Sequence, residues 1–246
     1  DAEIFGTLDK DRNAMFLECI NMVLDIWAGE APYNLKGDYF EVSTERTMLP
    51  DIGQGSIIKP YQYPHPPIVG TVVAPYSKGI TAMAERGWEP ISANFLLPKW
   101  VKTHWSNYAK GCALGGRTAD PANWRIAKNI CVADDMKTAK EYARGTNSPY
   151  VLYYSQLLTK FRDSGRLNLF KEDQEMSDDK VTLDYVLDRL VTFGDPSSVA
   201  DQILEFRATV GDFNHLVYAG HDWTDYDLGR KSMILTAEKV IPILND

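Results

Sequence analysis

Only three cysteines and four histidines occur in 246 residues, and neither set has a spacing that points to a site. Cys19, Cys112 and Cys131 are far apart and odd in number, so neither a disulfide framework nor a zinc-ligand set emerges. They are expected to be reduced core residues, which fits a cytoplasmic protein. His65, His104, His215 and His221 show no H-x-x-x-H arrangement, so no metal is expected. Basic residues are also scarce: 26 Lys+Arg stand against 34 Asp+Glu, a net charge of −8, with no Lys/Arg-rich run. Phosphate-backbone binding rests on clustered cations that release counterions, so nucleic acid is excluded as a partner. No apolar run approaches the roughly 18 residues of a spanning helix, and no membrane is expected. An initiator Met and a charged-then-apolar leader are both missing at Asp1, so a secretion signal is either absent or already removed. No nucleophile elbow, Walker loop or kinase pattern is found.

What is present is core-forming material: 44% apolar residues, with six Trp, thirteen Tyr and nine Phe. Disorder is excluded, and the length suits one large domain or two small ones. From Asp9 to Gly29, Phe16, Ile20, Val23, Leu24 and Trp27 share one face of a 3.6-residue period, with Asp9 as cap and Gly29 as stop. Residues 31–64, rich in Pro, Gly and aromatics, predict a long connection with little regular structure. Strands are expected at 67–74, 90–96, 124–133 and 215–219, with a short one at 191–193. The first of these is apolar on both faces, as in a parallel strand covered on both sides. Helices are expected over 77–86, from Pro98 to Gly115, after Asp134 or Asp135, from Asp195-Pro196, and over 231–244, with ordered structure of no assigned type over 181–190. The polar stretch 147–180 reads as a mobile excursion.

Strands alternating with helices indicate an α/β fold with a parallel sheet. Five strands are too few to close an eight-stranded barrel, so either the sheet is open or half a barrel is missing. The opening helix also needs something to cover its apolar stripe, and only Ile4 and Phe5 precede it. The sequence is therefore expected to be part of a longer chain whose first barrel strands lie upstream.

Ligands of such sheets bind at the carboxyl ends of the strands, where the next helix offers unpaired N–H groups to an anion. The turn Ala74-Pro75-Tyr76-Ser77-Lys78-Gly79 stands at such a junction. Ser77 offers a hydroxyl, Lys78 a charge and Gly79 close backbone approach, which together suit a phosphate monoester; the same residues would serve as an ordinary helix cap and a solvated cation. Ala93-Asn94-Phe95, at the next strand end, offers small and planar groups against which a flat ligand could stack, or ordinary core packing. His221 follows the last strand in Ala219-Gly220-His221-Asp222-Trp223, and His65, between prolines, reads as loop scaffolding.

Two runs are specific enough to name a family. Gly194-Asp195-Pro196-Ser197-Ser198-Val199-Ala200 resembles the Gly-(Thr/Ser)-Pro-Glu-Glu-Val-Ala signature of the bacterial luciferase-like flavin monooxygenases. Ser232-Met233-Ile234-Leu235-Thr236-Ala237-Glu238 is similar to the terminal helix of that family. Upstream, the run from Lys59 to Ile68 resembles the approach to the fifth barrel strand, and Ala82 to Gly87 the following helix end. The resemblance covers essentially all of the sequence and maps onto roughly the last two thirds of a family member. Within the family, the limonene and diketocamphane monooxygenases look most similar.

The resemblance implies a (β/α)8 TIM barrel, here residues 1–246 as one domain without its N-terminal strands, with a lid at 147–180. It implies that Ala74, Tyr76, Ser77, Lys78 and Gly79 hold the FMN phosphate, and that Ala93 and Asn94 lie beside the isoalloxazine ring. Phe95, Trp100 and Trp105 are expected to meet a small apolar organic substrate. The N-terminal histidine of the family has no counterpart, so no catalytic residue is assigned. The implied activity is a two-component monooxygenase: reduced FMN, delivered by a separate NAD(P)H:flavin reductase, reacts with O2 to a C4a-(hydro)peroxyflavin that oxygenates the substrate. A homodimer is expected. Alternatives are an F420-dependent hydride-transfer enzyme of the same superfamily and a non-catalytic flavin-binding relative.

Overall fold

Asp11, not Asp9, begins the first helix: its carboxylate accepts the N–H groups of Asn13 and Ala14, each at 3.0 Å, and α1 runs Arg12–Ala28. The computed structural model describes residues 2–221 and 224–245. They fall into two compact units, divided after Pro67. In the first unit α1 buries Met22 and Ile26, while Phe16, expected on the covered face, is exposed. Residues 31–64 hold more regular structure than their composition predicts. Strands β1 (Asn34–Lys36) and β2 (Glu41–Ser43) form a short antiparallel hairpin. Its turn is fastened by Glu18 of α1, whose carboxylate accepts the N–H groups of Asp38, Tyr39 and Phe40. Neither strand alternates apolar with polar residues over a useful length, so period-2 reading misses them.

The second unit contains five parallel strands, all at expected places: β3 (Val69–Val72), β4 (Glu89–Ser92), β5 (Arg125–Val132), β6 (Val191–Gly194) and β7 (His215–Tyr218). β3 pairs with β4, and the eight-residue β5 joins the rest. Its start lies beside β4 and β7, its last four residues beside β6. β3 is not covered on both sides as expected. Val72 is buried, but Val69 and Val73 are exposed, and among the described residues β4 is the one sheet neighbour of this strand.

Helices α2 (Lys78–Glu85) and α3 (Pro98–Leu114) follow β3 and β4. They pack so closely that a Cβ added at Gly111 of α3 would lie 2.3 Å from the carbonyl oxygen of Thr81. α4 (Met136–Arg144) starts at Asp135, which accepts the Thr138 N–H. The stretch 147–180 is not an irregular excursion: it contains α5 (Pro149–Asp163), capped by Ser148. Tyr150, Tyr154, Leu158 and Phe161 form a stripe at helical spacing buried in the main core. α6 (Leu183–Leu190) and α7 (Pro196–Val210) complete this layer, with Asp195 capping α7 through the Ser198 N–H as expected. The terminal helix begins earlier than residue 231. α8 (Tyr226–Leu235) continues through a π-helical turn over 236–240 into α9 (Ile241–Asn245). Ser232 of α8 is buried and accepts the N–H of Val132, the last residue of β5. Cys112 and Cys131 are buried as expected; Cys19, on α1, is exposed.

Candidate functional site

The turn between β3 and α2 is shaped by α3, not by its own side chains. Three α3 residues at positions i, i+1 and i+4 grip its backbone. Thr103 Oγ1 accepts the Tyr76 N–H at 2.9 Å, His104 Nε2 meets the Ala74 carbonyl oxygen at 3.0 Å, and Asn107 Nδ2 donates to the Ser77 carbonyl at 3.0 Å. Since a carbonyl can only accept, His104 carries its proton on Nε2, and Nδ1 accepts from Ser92 Oγ at 2.8 Å. Ser92 Oγ in turn accepts the Trp124 indole N–H at 2.9 Å. Burial pushes the His104 imidazole down to about 4, against the weaker opposing effect of the Ala74 hydrogen bond, so the ring is neutral.

Held this way, Tyr76 adopts φ +51°, a left-handed conformation that costs a bulky residue on the order of 1 kcal/mol. Its ring lies edge-on to Trp100, centroids 6.4 Å apart. Ser77 makes no side-chain capping bond, which leaves its hydroxyl available. Lys78 and Gly79 occupy the first positions of α2, where backbone N–H groups have no intrahelical acceptor and the dipole favours an anion. A Cβ at Gly79 would meet only Ser77 Oγ, at 3.4 Å, so the protein itself leaves room there.

A second polar group gathers at the ends of β4 and β7. Asn94 Nδ2 donates to Asn129 Oδ1 at 3.0 Å, and His221 Nε2 meets the same oxygen at 2.8 Å. Asn129 Nδ2 donates to Tyr154 Oη, which donates to the Asn94 carbonyl; Tyr153 Oη donates to Asn94 Oδ1. The directions follow from one carbonyl. Tyr154 must spend its proton on the Asn94 oxygen, so it accepts from Asn129, whose Oδ1 then only accepts, and His221 presents Nε2–H. Burial holds the Tyr154 phenol protonated, well above its ordinary range. His221 and Tyr153, ring centroids 4.6 Å apart, also border a cavity of about 660 Å³ with Asn147, Leu152 and Gln156.

The expected site residues divide accordingly. Ala74, Tyr76, Ser77, Lys78 and Gly79 form one turn, with Trp100 against it. Ala93 is nearly buried in the core, and Asn94 belongs to the polar group. Phe95 packs on Phe161 of α5 with centroids 5.7 Å apart, and Trp105 stacks on Trp124 at 5.6 Å beside a different, smaller cavity. Both rings are part-buried against these neighbours. Asp222 and Trp223 lie outside the described residues. Sequence reasoning missed Thr103, Asn107, Asn129, Tyr153 and Tyr154, and gave His104 no role. An amide interrupting the buried run of β5 was a readable signal for Asn129; the grip of α3 on the turn is tertiary and left none.

A sequence profile of the luciferase-like monooxygenases matches residues 1–212. The chain belongs to this family. Over 224 residues it is 22% identical to the 3,6-diketocamphane 1,6-monooxygenase of Pseudomonas putida, covering 89% of this chain and 58% of that enzyme. The solved structure of the oxygenating constituent of 3,6-diketocamphane monooxygenase from P. putida, in complex with FMN, superposes with a TM-score of 0.78 at 22% identity. It covers 95% of this chain and 64% of that one. An F420-dependent secondary alcohol dehydrogenase superposes with a TM-score of 0.62 at 18% identity, covering 100% of this chain and 66% of that one. The five parallel strands thus belong to the α/β fold of the luciferase-like family. The chain spans about three fifths of the length of these relatives.

Proposed function

We propose that the protein is an FMN-dependent monooxygenase, taking reduced FMN from a separate NAD(P)H:flavin reductase and oxygenating a small apolar organic substrate with O2. The observation that carries this reading is the turn fastened by Thr103, His104 and Asn107. The carbonyl oxygens of Ala74 and Ser77 are tied back to α3, while the first N–H groups of α2, the Ser77 hydroxyl and the open space at Gly79 remain for an anion. This donor set fits the phosphate monoester of FMN. Ser77, Lys78 and Gly79 would bind it, and Ala74 and Tyr76 would set the backbone around it. Ala93 and Asn94 would lie beside the ring system, with Asn94 oriented by Asn129 and Tyr153.

Bound reduced FMN supplies the reaction with O2 and the transfer of one oxygen atom. The task of the chain is to hold the phosphate, fix the ring and keep water out. Residues 147–180 serve as the cover in this reading: the inner face of α5 is anchored in the core, and the Trp100 indole N–H donates to the Leu169 carbonyl at 3.0 Å. A homodimer in the cytoplasm completes the proposal. The diketocamphane enzyme and its FMN-bound structure support it, being relatives of like fold that act as monooxygenases.

The test is anaerobic titration with photoreduced FMN, followed by admission of oxygen and assay of products from a panel of small ketones and terpenes. Binding in the micromolar range with an oxygenated product is expected. Binding of F420 in place of FMN, or FMN binding with hydrogen peroxide as the sole product across the panel, would overturn the monooxygenase reading.

A further inference from the structure

The central strand β5 carries a lysine where the sheet is well covered. Lys128 is 6% exposed, and its Nζ lies 4.6 Å from the centroid of the Phe206 ring of α7. Among the described residues no carboxylate lies within ion-pair distance of it, and its amine donates no hydrogen bond. A buried cation without a counter-charge is rare, because desolvation is uncompensated. What the amine does have is space: a cavity of about 220 Å³ beside it, among β6, α6 and α7.

The charged groups lining that cavity are Glu172, from the segment before α6, Asp188 and Arg189 of α6, and Glu205 of α7; β6 contributes Thr192. Asp188 is ion-paired with Arg144, and the Arg189 guanidinium stacks on Tyr185 and donates to its carbonyl. Acid is in excess around the opening. A cationic adduct of the amine would be stabilised there and an anionic one, such as a carbamate formed with CO2, opposed.

We propose that Lys128 is a covalent docking site for small aldehydes, which enter the cavity and form a Schiff base with its amine. The nitrogen lone pair attacks the carbonyl carbon to give a carbinolamine. Proton transfer to the hydroxyl then lets water leave as the C=N bond forms, so amine and aldehyde become imine and water with no redox change. Protonation of the imine places a cation among Glu172, Asp188 and Glu205. The reactive neutral amine is accessible because burial pushes Lys128 down to about 8 from the ordinary 10.5. Near neutral pH this raises the neutral fraction about 300-fold over a surface lysine, partly offset by the weaker nucleophilicity of a less basic amine.

The experiment is reductive alkylation of the full chain with propanal and cyanoborohydride, mapped by peptide mass spectrometry from about pH 6 to pH 10. Lys128 is expected to be alkylated at least about tenfold faster at neutral pH than Lys137, whose side chain is 85% exposed, with a midpoint near pH 8. Lys128→Arg should remove this fast-labelled peptide and leave the labelling of the other lysines as it was. Glu205→Gln should lower the adduct yield at Lys128. Equal rates at Lys128 and Lys137 would overturn the proposal, as would a trapped carbamate at Lys128 in bicarbonate with no aldehyde adduct.

Discussion

His104 and Ala74 are joined by a hydrogen bond of 3.0 Å from an imidazole Nε2–H to a backbone carbonyl, across thirty positions of sequence. The bond fixes the root of the turn assigned to the phosphate, and in the neutral ring Nδ1 accepts from Ser92, a bond that protonation of the imidazole removes. The folded value of about 4 against an ordinary 6.5 makes the sign plain. Between those pH values the unfolded chain binds a proton that the folded chain refuses, so stability falls as pH drops from about 6.5 and the contribution is gone below about 4. The limit is about 3 kcal/mol. Urea unfolding at a series of pH values should show this loss in the parent and a flatter profile in His104→Gln.

Gly79→Ala separates a ligand requirement from a folding requirement. The added methyl meets only Ser77 Oγ at 3.4 Å and sits at the first turn of a helix, where Ala is preferred to Gly. Stability should change by less than about 1 kcal/mol, in the favourable direction. Affinity for reduced FMN should fall by about tenfold or more, since the methyl fills the space left for the phosphate. Thermal melts and anaerobic titration of the same preparation read both effects.

Asn129→Leu removes the hub of the polar group while keeping the volume of the side chain. Asn94 Nδ2 and His221 Nε2 lose their shared acceptor, at a cost of about 1 kcal/mol or more for part-buried donors. Denaturant midpoints should fall accordingly. In the proposed enzyme the ratio of peroxide to oxygenated product should rise, because Asn94 is no longer oriented.

Much of the scaffold was legible because its signals are local. Asp195-Pro196 announces α7, and the apolar runs of β4 and β5 and of β7 announce the sheet within a residue or two at most ends. α5 was hidden because Ser155, Gln156, Thr159 and Lys160 make its average polar, although Tyr150, Tyr154, Leu158 and Phe161 keep helical spacing. The candidate turn was legible at Ser77 and Gly79, since a strand meeting a helix is a one-dimensional pattern. The residues that shape it were not, because Thr103, His104 and Asn107 act from a helix about thirty positions away. Phe95 and Trp105, expected to meet the substrate, pack on Phe161 and Trp124, contacts between distant residues that no local pattern announces.

Lys128→Met should stabilise the chain near neutral pH by up to about 3 kcal/mol, because a buried charge is replaced by an apolar side chain of similar length. Below about pH 8 the lysine is protonated in both states and the folded chain bears the full cost. Between about 8 and 10.5 the unfolded chain keeps the proton that the folded chain has lost, so the parent gains relative stability as pH rises. The gap between variant and parent should therefore narrow towards pH 10, which paired denaturant titrations measure.

The most direct test of the central claim compares anaerobic binding of reduced FMN with that of reduced riboflavin, which lacks only the phosphate. If the turn from Ala74 to Gly79 holds that phosphate, FMN should bind about tenfold or more tightly, the advantage should shrink at high salt, and Gly79→Ala should erase most of it. Equal affinities for the two flavins, or an FMN advantage untouched by Gly79→Ala, would contradict the account.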